Sequence, residues 1–81
     1  MAPNSTIENN SEVIDSMKDA IAVEIAKHID KKYGFFWIKC VELAMAASWW
    51  HKDYTIDDLA NINIGNLVAQ VFKQIDNKEI Q

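Results

Sequence analysis

One stretch of the chain repeats its apolar positions over several turns. Met17, Ile21, Ile25 and Ile29 stand four residues apart, a spacing that drifts slowly round one helix face. Ala22, Ala26 and Tyr33 widen the stripe, and Lys18, Asp19, Glu24, Lys27 and Lys31 fall largely on the other side. Full burial of the four stripe residues is worth about 1.5–3 kcal/mol each before chain entropy is counted. Ser16, with Asp19 three residues on, is an N-cap signal. Gly34 follows Lys31 and Lys32, which puts a left-handed residue and two cations at the negative end of the helix dipole. The pattern predicts a helix over about residues 17–33, with a start as early as Ser11 as the alternative. Residues 1–10 are polar apart from Ile7 and the first residues, so residues 1–15 read as a flexible lead.

After Gly34 the pattern changes. Phe35-Phe36-Trp37-Ile38 is aromatic and β-prone. Trp37 to Leu43 alternates loosely, as a strand would, yet Glu42-Leu-Ala-Met-Ala-Ala-Ser48 consists mainly of helix formers. Local propensity over residues 37–50 is therefore balanced between helix and strand. Lys52 to Asp58 is a polar connection. Leu59-Ala-Asn-Ile-Asn-Ile64 alternates, with Ile62 and Ile64 opposite Asn61 and Asn63, and predicts a half-exposed strand. Gly65-Asn66 is a two-residue hairpin signal, and Leu67 to Phe72 suits a more buried second strand. Residues 75–81 form a polar tail.

Composition narrows the function classes. Eighty-one residues allow one small core, and oligomerisation is a usual remedy at that size. The net charge is −4, from eight lysines, no arginine and twelve acids. Nucleic-acid binding needs a basic footprint, which this balance lacks. The single cysteine, Cys40, excludes an intrachain disulfide and fits a reducing compartment. No apolar run is long enough to span a membrane.

Two segments carry a family resemblance: Ile25-Ala-Lys-His-Ile-Asp-Lys-Lys-Tyr-Gly-Phe-Phe-Trp37 and Ile64-Gly-Asn-Leu-Val-Ala-Gln-Val-Phe-Lys73. Together they resemble the eight-kilodalton dynein light chains, in which an Asp-Lys-Lys-Tyr run closes a helix, a Trp opens the first core strand and a hairpin ends in Phe-Lys. The overall mixture is similar to the light-chain-like C-terminal domains of flatworm tegumental calcium-binding proteins. The resemblance implies an α+β domain over residues 16–74, with one or two helices on a small antiparallel sheet and a strand-exchanged homodimer. Residues 1–15 would then be a remnant of the family's first helix. The implied function is non-catalytic dimerisation and binding of extended partner segments by β-augmentation. Dynein intermediate chain is a candidate partner, and a cytoplasmic, cytoskeleton-associated or tegumental setting is implied.

In that register Met45, Ala47, Trp49 and His51 belong to the dimer interface. Ala46, Ser48, Trp50, Leu59, Asn61 and Asn63 line the partner-peptide groove. Several groove residues depart from the family, Asn61 and Asn63 above all, so its usual peptides are expected to bind weakly. His51 is the residue whose protonation would disfavour the dimer. Trp49 and Trp50 would point to opposite faces of a strand, one inward and one toward an interface, unless both simply pack in the core. His28, Cys40 and His51 lack metal-ligand spacing. Asp53, Asp57 and Asp58 lack the glycine and glutamate of a calcium loop. No cofactor is expected, and no nucleophile, carboxylate pair or phosphate-cradling loop suggests an enzyme. Two alternatives stand beside this: a dimerisation module of a tegumental calcium-binding protein that binds no peptide, and a small all-helical accessory protein.

Overall fold

A computed structural model describes the backbone of residues 2–80 and the side chains of residues 11–78. Helix α1 spans Ala2–Tyr33 and sets the long axis of a molecule measuring 52 × 20 × 18 Å. The expected start at Ser16 is not a start: the helix runs through it, and the backbone of residues 2–15 belongs to α1. The predicted stripe is the face that packs. Ile21, Ala22, Ile25, Ala26 and Ile29 are buried, with Met17 and Tyr33 half-buried at its ends. Gly34 adopts φ +71°, and its N–H donates to the Asp30 carbonyl at 2.8 Å. That bond closes α1 as a left-handed glycine cap, as the sequence predicts.

The rest of the chain corrects the expected fold class. Among the described residues there is no strand, so neither an antiparallel sheet nor an exchanged strand exists. Trp37–Ala46 is helix α2, followed by a 3₁₀ turn at Ser48–His51, helix α3 at Ile56–Ala60 and helix α4 at Ile64–Ile80. The protein is a small all-helical fold, not an α+β domain.

Each misassigned segment has a physical reason. In α2 the buried positions are Cys40 and Ala44, one helical turn apart, with Ala47 just beyond. Small side chains there let α2 lie close on α1, and the helix formers from Glu42 onward win over the β-prone aromatics. In the stretch from Leu59 to Ile64, helix α3 takes the first residues. Thr55 caps it: the Asp58 N–H donates to Thr55 Oγ1 at 3.1 Å, and the Thr55 N–H donates to Asp58 Oδ2 at 3.0 Å. This is a reciprocal capping box. The apparent hairpin at Gly65-Asn66 is the first turn of α4, where the Asn66 N–H donates to Asn63 Oδ1 at 3.1 Å. Asn63 is thus an N-cap. Leu67, Val68, Val71 and Ile75 are buried and Phe72 half-buried, a helical period that the β-rich composition masked. The expected polar tail, as far as Ile80, continues α4.

The chain folds back along α1. The link of Gly34, Phe35 and Phe36 makes α1 and α2 antiparallel, and α1 packs against α2, α3 and α4 in turn. Lys18, which the sequence places on the side of α1 away from the apolar stripe, reaches across. Its Nζ donates to the carbonyls of Trp50 at 3.2 Å and Lys52 at 3.1 Å and stands 5.8 Å from the Trp50 and Tyr54 ring centres. A cation on the last carbonyls of the 3₁₀ turn is favourable placement. No described helix is long and apolar enough to cross a membrane.

Candidate functional site

The residues assigned to an exchanged strand and its groove do not assemble into one site. Ala47 and Trp49 are buried in the monomer's own core, each 2 % exposed, and Leu59 is buried with them. Met45 and Trp50 are half-buried against that core; Ala46, Ser48 and His51 are exposed on the end of α2 and the turn after it. Trp49 has a structural task. Its Nε1–H donates to the Ala44 carbonyl at 3.1 Å, satisfying one of the orphan carbonyls at the end of α2. Trp50 meets Trp49 edge-on, ring centres 5.5 Å apart. Asn61 Nδ2 donates to the Asp57 carbonyl at 2.9 Å and Asn63 caps α4, so both asparagines terminate helices. Asp53, Asp57 and Asp58 are exposed around α3, and no group of three His, Cys, Asp or Glu side chains among the described residues is placed to hold a metal.

The surface feature that stands apart lies at the corner between α1 and α2. Phe36 is 88 % exposed, Ile38 72 % and the intervening Trp37 46 %. The helix geometry explains why. With Cys40 facing α1, Ile38 stands two residues, about 200°, away and must point outward. Phe36 is the extended residue (φ −58°, ψ 145°) that starts α2, and no side chain caps that helix. The Cys40 N–H returns to the Phe36 carbonyl at 3.0 Å.

The corner stands on an aromatic base. Tyr33 stacks on Phe35 with ring centres 5.3 Å apart and meets the Phe72 edge at 5.5 Å. The Tyr33 hydroxyl donates to Asp76 Oδ1 at 2.6 Å. Lys32 Nζ sits 4.4 Å from the Phe72 ring centre and 3.9 Å from Asp76 Oδ2. These contacts tie the end of α1 to α4, so the three exposed side chains project from a fixed base. Beneath them Cys40 is fully buried, its Sγ 3.5 Å from the Phe35 carbonyl; burial, reinforced by the charge of Asp30, pushes its thiol up from the ordinary range.

Charges of both signs surround the corner, with Asp30 and Glu42 exposed beside the lysines. Residues 27–39 hold Lys27, Lys31, Lys32 and Lys39 against Asp30 alone, while the other 68 residues carry four lysines against eleven acids. Lys27 is paired with Glu24 at 3.5 Å and Lys32 with Asp76. Lys31 and Lys39 are exposed and make no ion pair among the described residues. In the sequence Phe35 to Ile38 reads as aromatic and β-prone, with Trp37 opening a core strand by the resemblance; four consecutive large apolar residues beside a glycine stop were the available signal.

Known protein families, characterised proteins and solved structures offer no match to this chain.

Proposed function

We propose that this protein is a small all-helical, non-catalytic accessory protein that works by contact, through the corner formed by Phe36, Trp37 and Ile38. The observation that carries this is the exposure of three adjacent large apolar residues on a base that is itself packed and hydrogen-bonded. Scattered single apolar residues are normal on a surface, but a contiguous patch marks a contact site. Aromatic residues at its centre are the usual anchors of binding energy.

Site-specific photo-crosslinking in cells tests this. Benzoylphenylalanine in place of Phe36 is expected to give discrete adducts to another macromolecule. The same group in place of Asp53, exposed on the segment after the 3₁₀ turn, is expected to give few. Equal yields at the two positions, or none at position 36, would remove the corner as the contact surface.

A further inference from the structure

We infer that a second copy of this chain covers the corner, with α2 lying antiparallel against α2 of the copy on a two-fold axis through Val41. This rests on the corner being the contact surface and names its partner.

The open side of α2 carries the contact. Successive residues turn by about 100° round a helix. Leu43 and Ala46 face α4, across a shallow depression lined also by Val71 and Ile75. Cys40 and Ala44 are buried toward α1. Trp37, Ile38, Val41 and Met45 all stand about 120–160° round α2 from Leu43. They form one apolar side turned away from α4, exposed at Trp37 and Ile38 and half-buried at Val41 and Met45. Phe36 stands at its end.

The order of these side chains selects a second copy. A two-fold contact uses one patch twice, so that residue i meets j and j meets i. Trp37, Val41 and Met45 are spaced by four, evenly about Val41. Antiparallel α2 helices centred there bring Val41 onto its own copy and Trp37 onto Met45 at both ends, a favourable sulfur–aromatic match. Charge agrees with this. Lys39 and Glu42 border the apolar side, both exposed and without an ion pair among the described residues. The same two-fold sets Lys39 of each copy beside Glu42 of the other. Asp30 and Lys31 cancel at the end of α1, so the corner is locally neutral in a chain of net charge −4. Two copies therefore meet there without like-charge repulsion, and the paired rim charges fix the register.

The area sets the strength. The accessible parts of Phe36, Trp37 and Ile38 with those of Val41 and Met45 come to about 450 Å² per copy. With the flanks of Lys39 and Glu42 the pair buries about 1,000–1,200 Å², the low end of specific interfaces. The dimer is accordingly weak, with a Kd on the order of 100 µM.

Sedimentation equilibrium of the full chain between about 10 µM and 1 mM decides the matter. The expected result is a shift from the 9.3 kDa monomer toward twice that mass and no further. Ile38→Glu should weaken association at least about tenfold. Lys39→Glu and Glu42→Lys should each weaken it at least about threefold, and the double reversal should restore it, because each reversed lysine then faces a reversed acid. A mixture of the two single variants should associate more strongly than either alone. Circular dichroism melts establish that each variant is folded. A monomer at every concentration, Ile38→Glu associating as the parent does, or a double reversal no stronger than the single ones would overturn the inference. Adducts at position 36 only to other macromolecules would also overturn it, yet leave the corner as the contact surface; no adducts of any kind would remove both.

Discussion

Cys40 shows how much one side chain depends on its setting. It is fully enclosed between α1 and α2, and both desolvation and the charge of Asp30 disfavour its thiolate. The thiolate is the reactive form, so native protein should react with a thiol reagent only through opening of the fold, and urea should release the full reaction. The same shift has a consequence for stability. The folded thiol holds its proton to higher pH than the unfolded one. Its contribution is therefore intact below about pH 8.5 and is lost as pH rises from there through the raised folded value. Melting curves of the wild type and Cys40→Ala between pH 7 and 10 should converge with increasing pH; a gap that widens would contradict the assigned setting. Trp49 gives the residue-scale lesson about legibility. The sequence left two readings of the Trp pair, opposite faces of a strand or core packing for both; there is no strand among the described residues, Trp49 is buried and Trp50 is half-buried against the core. What it could not mark was the indole's hydrogen bond to Ala44, which exists only because the chain between them turns at Ala47.

At the scale of elements, helix termini decide the fold. The Gly34 cap stops α1 and aims α2 back along it. An added Cβ at Gly34 would meet nothing within 4 Å, so the cost of Gly34→Ala comes from the left-handed backbone alone. That cost is about 1–2 kcal/mol, which should lower the melting temperature by about 4–8 °C per kcal/mol in a domain of this size. Gly34→Asn should lose less, because asparagine tolerates that backbone; equal melting temperatures for Gly34→Ala and the wild type would show that the cap does not hold. The stop at Gly34 and the stripe from Met17 to Ile29 were legible because several large apolar residues and a specific turn residue agreed. The later helices were not, for three separate reasons. Helix α2 buries small residues, Cys40 and Ala44, which leave a faint periodicity. Helix α3 is five residues long and is defined by its capping box, Thr55 and Asp58. Helix α4 opens with Ile64-Gly65-Asn66, which has the composition of a hairpin, and only the span out to Ile75 reveals the helical repeat. The resemblance to dynein light chains read the same short segments as strands and carried a sheet with them; tertiary packing and capping chose helix instead.

For the whole molecule, charge of both signs runs along the length. Glu12, Asp15 and Asp19 lie on the first part of α1 and Asp53, Asp57 and Asp58 around α3, while Asp30 and Glu42 lie with Lys31 and Lys39 nearer the far corner. Of the residues that the resemblance assigns to a dimer interface, Ala47 and Trp49 fill the monomer's core, Met45 borders it and His51 is exposed, while Phe36, Trp37 and Ile38 form the prominent apolar surface. At all three scales a packed helical scaffold holds this corner in water. Relaxation of assigned side-chain signals by a soluble paramagnetic probe measures that directly in the free protein. Phe36 and Ile38 should broaden strongly, Trp37 partly, and Trp49 and Ile25 hardly at all. Protection of Phe36 and Ile38 equal to that of Trp49 would contradict it.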